Sequence, residues 1–116
     1  SNPDLVARLR GAARRGTLWH EVKIGWAEAG PLLTTGSIDV LWQDPDGGYH
    51  LLDYKASEAK DDDAGPAESL RRKAAHYHPQ VALYAEGVAR LLPAGARIAS
   101  YGLWFVKEGV VVTWPT

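Results

Sequence analysis

The hydrophobic positions change period several times along the chain, and each change marks an element. Leu5, Val6, Leu9, Ala12 and Ala13 recur at helical spacing. They predict a helix over Pro3–Arg15, with Pro3 in the first turn, Gly16 as the stop and Arg8, Arg10, Arg14 and Arg15 on the opposite face. Aromatic and β-branched residues then predict a strand over Thr17–Trp26, a turn at Gly30-Pro31 and a second strand over Leu33–Gln43. Asp44-Pro45-Asp46-Gly47-Gly48 is a dense turn signal before a third strand, Tyr49–Ala56. Ser57–Pro66, with Asp61-Asp62-Asp63, reads as an acidic solvated loop. Ala67–Leu92 is helical, with Val81, Ala85, Val88 and Leu92 as its core stripe. Pro79 inside it predicts two segments meeting near His78. Pro93-Ala94-Gly95 ends this stretch, and Ile98–Val106 and Val110–Trp114 are strands joined by a tight Lys107-Glu108-Gly109 turn. The resulting order is α-βββ-α-ββ, an α/β arrangement without internal repeats.

Composition narrows the classes this arrangement can serve. The 116 residues suit a single domain, expected to be excised from a longer chain, with Ser1-Asn2 reading as the remnant of a cleaved tag. A formal charge of −1 excludes a polybasic binder that works by charge alone, so any nucleic-acid contact must come from a local patch. The absence of cysteine excludes a disulfide framework, a thiol nucleophile, a zinc ribbon and an iron–sulfur cluster. No apolar run approaches the ~20 residues of a membrane helix and no signal peptide opens the chain, so a cytoplasmic location is expected. The five Trp residues fall mostly in strands and are expected in the core.

The richest stretch runs from Gly36-Ser37-Ile38-Asp39 to Leu51-Leu52-Asp53-Tyr54-Lys55. Two apolar strands each carry a carboxylate near the middle, which is costly to bury unless paired or metal-bound. A hairpin turning symmetrically about Asp46 sets Asp39 opposite Asp53, with Cβ atoms ~4.5–5.5 Å apart on one face. Lys55 shares that face, opposite Ser37, while Tyr54 points the other way with Ile38 and Leu52. A bulge in the turn would shift this register and part the two acids. One ammonium cannot neutralise both carboxylates, whereas Mg²⁺ takes hard oxygen ligands of this kind and eases deprotonation of a bound water. A salt-bridge cluster of Asp39, Asp53 and Lys55 is the alternative that spacing alone leaves open.

Gly36-Ser37-Ile38-Asp39, Leu52-Asp53-Tyr54-Lys55 and Tyr77-His78-Pro79-Gln80-Val81-Ala82-Leu83-Tyr84-Ala85, taken in this order after Glu21, resemble the RecB-type nucleases of the PD-(D/E)XK superfamily. The resemblance covers about Trp19 to Ala89. It implies a restriction-endonuclease-like mixed sheet flanked by helices and metal-dependent hydrolysis of DNA. Asp39 and Asp53, with Glu21, are implied as ligands of Mg²⁺ or Mn²⁺, and the main-chain carbonyl of Tyr54 as a further contact. Lys55 is implied as the catalytic lysine, and Gln80 and Tyr84, at i and i+4 on one helix face, as residues near the DNA backbone. A helicase domain or subunit in DNA repair or recombination is the implied partner, with no membrane involved.

One departure separates this chain from many members of that group. They carry a metal-binding histidine on an upstream helix, and Pro3–Arg15 contains none. His20 adjoins Glu21 but faces away from it in a regular strand. A nuclease-like module that binds or docks DNA ends without cutting is therefore the alternative reading. Among the remaining candidates, His76 and His78 are expected at the surface or facing DNA. His50, across the hairpin from Trp42, is expected to be structural. Arg71-Arg72-Lys73 reads as a solvated basic face.

Overall fold

The computed structural model describes residues 3–27, 33–56 and 65–116. Among them lie α1 (Pro3–Arg15), β1 (Leu18–Ala27), β2 (Leu33–Gln43), β3 (Tyr49–Lys55), α2 (Gly65–Leu91), β4 (Ile98–Phe105) and β5 (Val110–Pro115). The expected order α-βββ-α-ββ holds, and α1 and β2 have the bounds that their periodicity predicts.

α1 ends where Gly16 takes φ 73°, a backbone that glycine adopts without steric cost. The Gly16 and Thr17 amides then donate back to the carbonyls of Ala13 (3.1 Å) and Ala12 (2.8 Å), closing the last turn. Thr17 is thus spent on the helix cap, which is why β1 starts at Leu18 instead. The acidic stretch 57–64 lies outside the described residues. The last two positions of the loop expected over Ser57–Pro66, Gly65 and Pro66, already belong to α2, where proline suits the first turn.

The strands form one mixed sheet in the order β1-β2-β3-β4-β5. Neighbours are antiparallel except β3 and β4, which run parallel because α2 carries the chain back across the sheet between them. α1 covers one face, where Leu5 and Ala12 pack with Val40, Trp42 and Leu52. α2 covers the other, where Leu70, Ala74, Val81, Ala85 and Val88 pack on Leu41, Leu51, Leu103 and Phe105. The core stripe read from the sequence is the face that α2 buries, with Leu92 packed just past its end.

α2 runs unbroken through Pro79, against the expectation of two segments. Pro79 has no amide for the carbonyl of Ala75, but both residues sit on the exposed side of the helix, where water can take up that carbonyl. Packing of the opposite stripe holds the two halves in line. His78 also departs from expectation. Its ring stacks on Tyr101 and tilts 4.3 Å from Trp114, and its Nε2 lies 2.9 Å from the Tyr101 hydroxyl. It is half-buried and joins α2 to β4 and β5, whereas His76 is exposed.

His50 is structural, as expected, and its network ties α1 to the sheet. It stacks on Trp42 across the hairpin, centroids 5.2 Å apart. Its Nε2 is 3.0 Å from Asp44 Oδ2, its Nδ1 2.7 Å from the Ser100 hydroxyl, and Arg8 of α1 donates to the same Asp44 oxygen at 2.6 Å. Burial lowers the pKa of His50 despite the attraction of Asp44. Burial alone would raise Asp44, but Arg8, His50 and the Trp42 indole N–H together bring it below the usual carboxylate range.

Candidate active site

The hairpin register is the foundation of the site. Val40 pairs with Leu52, Leu41 with Leu51, Trp42 with His50 and Gln43 with Tyr49, the register expected for a turn centred on Asp46. The turn closes through the Gly47 amide on the Asp44 carbonyl (2.9 Å) and the Gly48 amide on Asp46 Oδ1 (2.8 Å), with Gly47 at φ 90°. No bulge intervenes, so Asp39 and Asp53 come next in line beyond Val40 and Leu52.

The ladder stops there. Asp39 turns its carboxylate onto the neighbouring main chain, where Oδ2 accepts the Tyr54 amide at 2.7 Å. On the other edge of β3 the Lys55 carbonyl accepts the Val106 amide at 3.1 Å. Main-chain groups alternate along a strand, so the Tyr54 carbonyl leaves β3 on the Asp39 side.

A break in β1 explains why β2 departs. His20 pairs with Val40 and Val22 with Ile38, but Glu21 and Asp39, opposite one another between these pairs, do not pair. Glu21 has φ 51°, uncommon for a residue with a Cβ and a form of strain that persists only where surroundings impose it. Across the break the two strands exchange faces. Val40 packs beneath α1, whereas Ile38, with Val22 and Ile24, packs beneath α2. Ile38 therefore does not share a face with Leu52, as unbroken alternation implies, and Ser37, exposed, does not stand opposite Lys55 on the Asp53 face. The break sits at the acids and frees the Asp39 side chain from the ladder.

On the α2 side of β3, Lys55 Nζ lies 3.1 Å from Asp53 Oδ2, and both side chains are nearly buried at 17% and 13% exposure. Burial, then a hydrogen bond to Asp39, pushes Asp53 up to about 6, against the pull of Lys55. Asp39 and Lys55 thus act on Asp53 in opposite directions, with one ammonium beside two adjacent carboxylates. Tyr54 points to the α1 side, as expected, edge-on to Trp104 at 5.5 Å. Its hydroxyl pKa is raised by burial and, less, by Asp39.

α2 closes the site from above. Tyr84 lies over Gly36, where a Cβ would come within 2.5 Å of its ring, so glycine there is a condition of this approach. Gln80, one turn earlier, is exposed. Tyr77, a further turn back, has the Lys55 ammonium 4.2 Å from its ring centroid. This contact was not read from the sequence, although the spacing of Tyr77, Gln80 and Tyr84 along one helix face could have exposed it.

The structure thus brings together Asp39, Asp53, Lys55 and the main chain of Tyr54, beneath Tyr77 and Tyr84. Glu21 faces solvent at the break and is not gathered with them. Among the described residues, no three His, Asp or Glu side chains cluster closely enough to hold a metal ion. Two adjacent carboxylates with one ammonium beside them nonetheless fit a divalent cation, which takes hard oxygen donors and completes its shell with water.

A mixed sheet between two helices, with two strand carboxylates and a lysine two residues after the second, defines a restriction-endonuclease-like fold. The model of the PD-(D/E)XK nuclease superfamily matches residues 3–113, and the chain belongs to that superfamily. No curated protein matches the chain by sequence. The domain is nuclease-like, and such a fold implies binding to DNA. Among the described residues, no helix is long and apolar enough to cross a membrane.

Proposed function

We propose that this domain hydrolyses phosphodiester bonds in DNA with Mg²⁺ or Mn²⁺. The observation that carries the reading is the nearly buried Asp53 with Lys55 on one side and Asp39, held by the Tyr54 amide, on the other. Asp39, Asp53 and the Tyr54 carbonyl would hold the ion, and Glu21, at the break, would join them only if its side chain turned from solvent toward the pair. The bound ion supplies an easily deprotonated water and neutralises charge on the phosphate. Lys55 donates to the phosphate or to the attacking water, and keeping it partly from bulk solvent strengthens that interaction. The Tyr54 amide holds Asp39 in place before any ion arrives. Gln80 and Tyr84 would line the approach of the DNA backbone. The order of motifs supports a RecB-like parent chain, a helicase–nuclease acting in cytoplasmic DNA repair or recombination.

The test is cleavage of labelled single- and double-stranded DNA in Mn²⁺, Mg²⁺ or EDTA. Asp53→Ala and Lys55→Ala are expected to stay folded and lose cutting by several orders of magnitude. Metal-dependent cutting by folded Asp53→Ala at the wild-type rate would refute the assignment. The separation of Glu21 from the acid pair favours one second reading, a nuclease-like module that binds DNA ends without cutting. It predicts DNA binding by the folded wild type with no product in any metal.

A further inference from the structure

We propose that Tyr77 is the positioning residue for Lys55, holding its ammonium over the acid pair through the face of its ring. The inference rests on the role given to Lys55 above and adds a residue to which that role assigns nothing. Lys55 meets the Asp53 carboxylate at 3.1 Å and has its ammonium 4.2 Å from the Tyr77 ring centroid. The two contacts differ in what they permit. A carboxylate engaged with a divalent cation gives up much of its hold on a neighbouring ammonium. A π face is uncharged, takes no metal and accepts no proton, so it retains the ammonium when Asp53 is engaged elsewhere.

The two ends of the contact are firmly seated. Tyr77 packs on the cluster beneath α2, and Lys55 lies on the last position of β3, paired with Phe105 at the centre of that cluster. A lysine side chain has four rotatable bonds, and confining it costs side-chain entropy. A ring already fixed by packing removes much of that cost before substrate arrives. The attraction is to the ring face and not to the hydroxyl, so phenylalanine should serve and an aliphatic side chain of similar bulk should not.

The experiment compares wild type, Tyr77→Phe and Tyr77→Leu, with Lys55→Ala alongside. Protein labelled with carbon-13 at the lysine ε position is read by NMR without metal. Lys55 is assigned by the resonance missing from Lys55→Arg. A proton held over a ring face is shifted upfield, so the Lys55 ε-methylene signal should stand upfield of the other lysines in wild type and Tyr77→Phe, and return among them in Tyr77→Leu. In Mn²⁺-dependent cleavage, Tyr77→Phe should match wild type within about two-fold, and Tyr77→Leu should lose about ten-fold in kcat with KM unchanged. Tyr77→Met replaces the leucine variant if that fails to fold. An unshifted Lys55 signal in wild type, or undiminished kcat in Tyr77→Leu beside an inactive Lys55→Ala, overturns the proposal and leaves the nuclease reading intact. Undiminished turnover by Lys55→Ala instead removes the role of Lys55, and this one with it.

Discussion

Asp53 carries the most consequential electrostatics of any single residue. Its folded pKa of about 6 stands above the ordinary 3.8, so the folded chain binds more protons than the unfolded chain between those values. Stability of the metal-free domain from this group is therefore full below about pH 4 and is lost as pH rises through about 6. Thermal unfolding in EDTA should show Asp53→Asn gaining on wild type by several degrees as pH rises from 4 to 7. Taking the difference between the two proteins removes His50, whose lowered pKa acts in the opposite direction. A difference that does not change with pH would mean that Asp53 is solvated like an ordinary aspartate. Asp39, Asp53 and Lys55 were legible as a group because strand alternation and a symmetric turn are local rules. The Tyr77 contact was not, because it joins residues more than twenty positions apart on different elements.

At the level of elements, α2 shows how packing overrides a local signal. Proline inside a helix removes one hydrogen bond and predicts a break, yet α2 spans Gly65–Leu91 without one. Leu70 and Ala74 before the proline and Val81, Ala85 and Val88 after it pack on the sheet, and His78 sits between Tyr101 and Trp114, so both halves of the helix are held. Restoring the missing amide should therefore help. Pro79→Ala is expected to stabilise the domain by ~1–2 kcal/mol in urea unfolding, the regained helix bond outweighing the added freedom of the unfolded chain. A destabilised variant would show that Pro79 shapes the helix axis that packing needs. The pairing of β1 with β2 teaches the converse. Alternation read along β2 alone places Ile38 with Val40. The break at Glu21 and Asp39 parts them, and it becomes visible only when the two strands lie side by side.

On the scale of the whole molecule, two helices on opposite faces of one sheet leave the acid pair where the β2–β3 ladder ends, under the Tyr77–Tyr84 face of α2. A cation that binds this folded arrangement and not the unfolded chain must stabilise it by mass action. Adding Mn²⁺ to a hundred times its Kd should raise unfolding free energy by ~2.7 kcal/mol, reversed by EDTA and absent in Asp53→Asn. No shift in wild type would argue for the ion-pair cluster without metal. The sequence by itself determined the element order, the turn at Asp46 and the placing of Asp53 and Lys55 on one face, since each follows from periodicity and turn chemistry over a few neighbouring residues. Only the tertiary structure decided that α2 continues through Pro79, that β1 and β2 change faces at Glu21 and Asp39, and that Lys55 meets Tyr77. Those outcomes depend on free energy gained between elements distant along the chain, which no local pattern records.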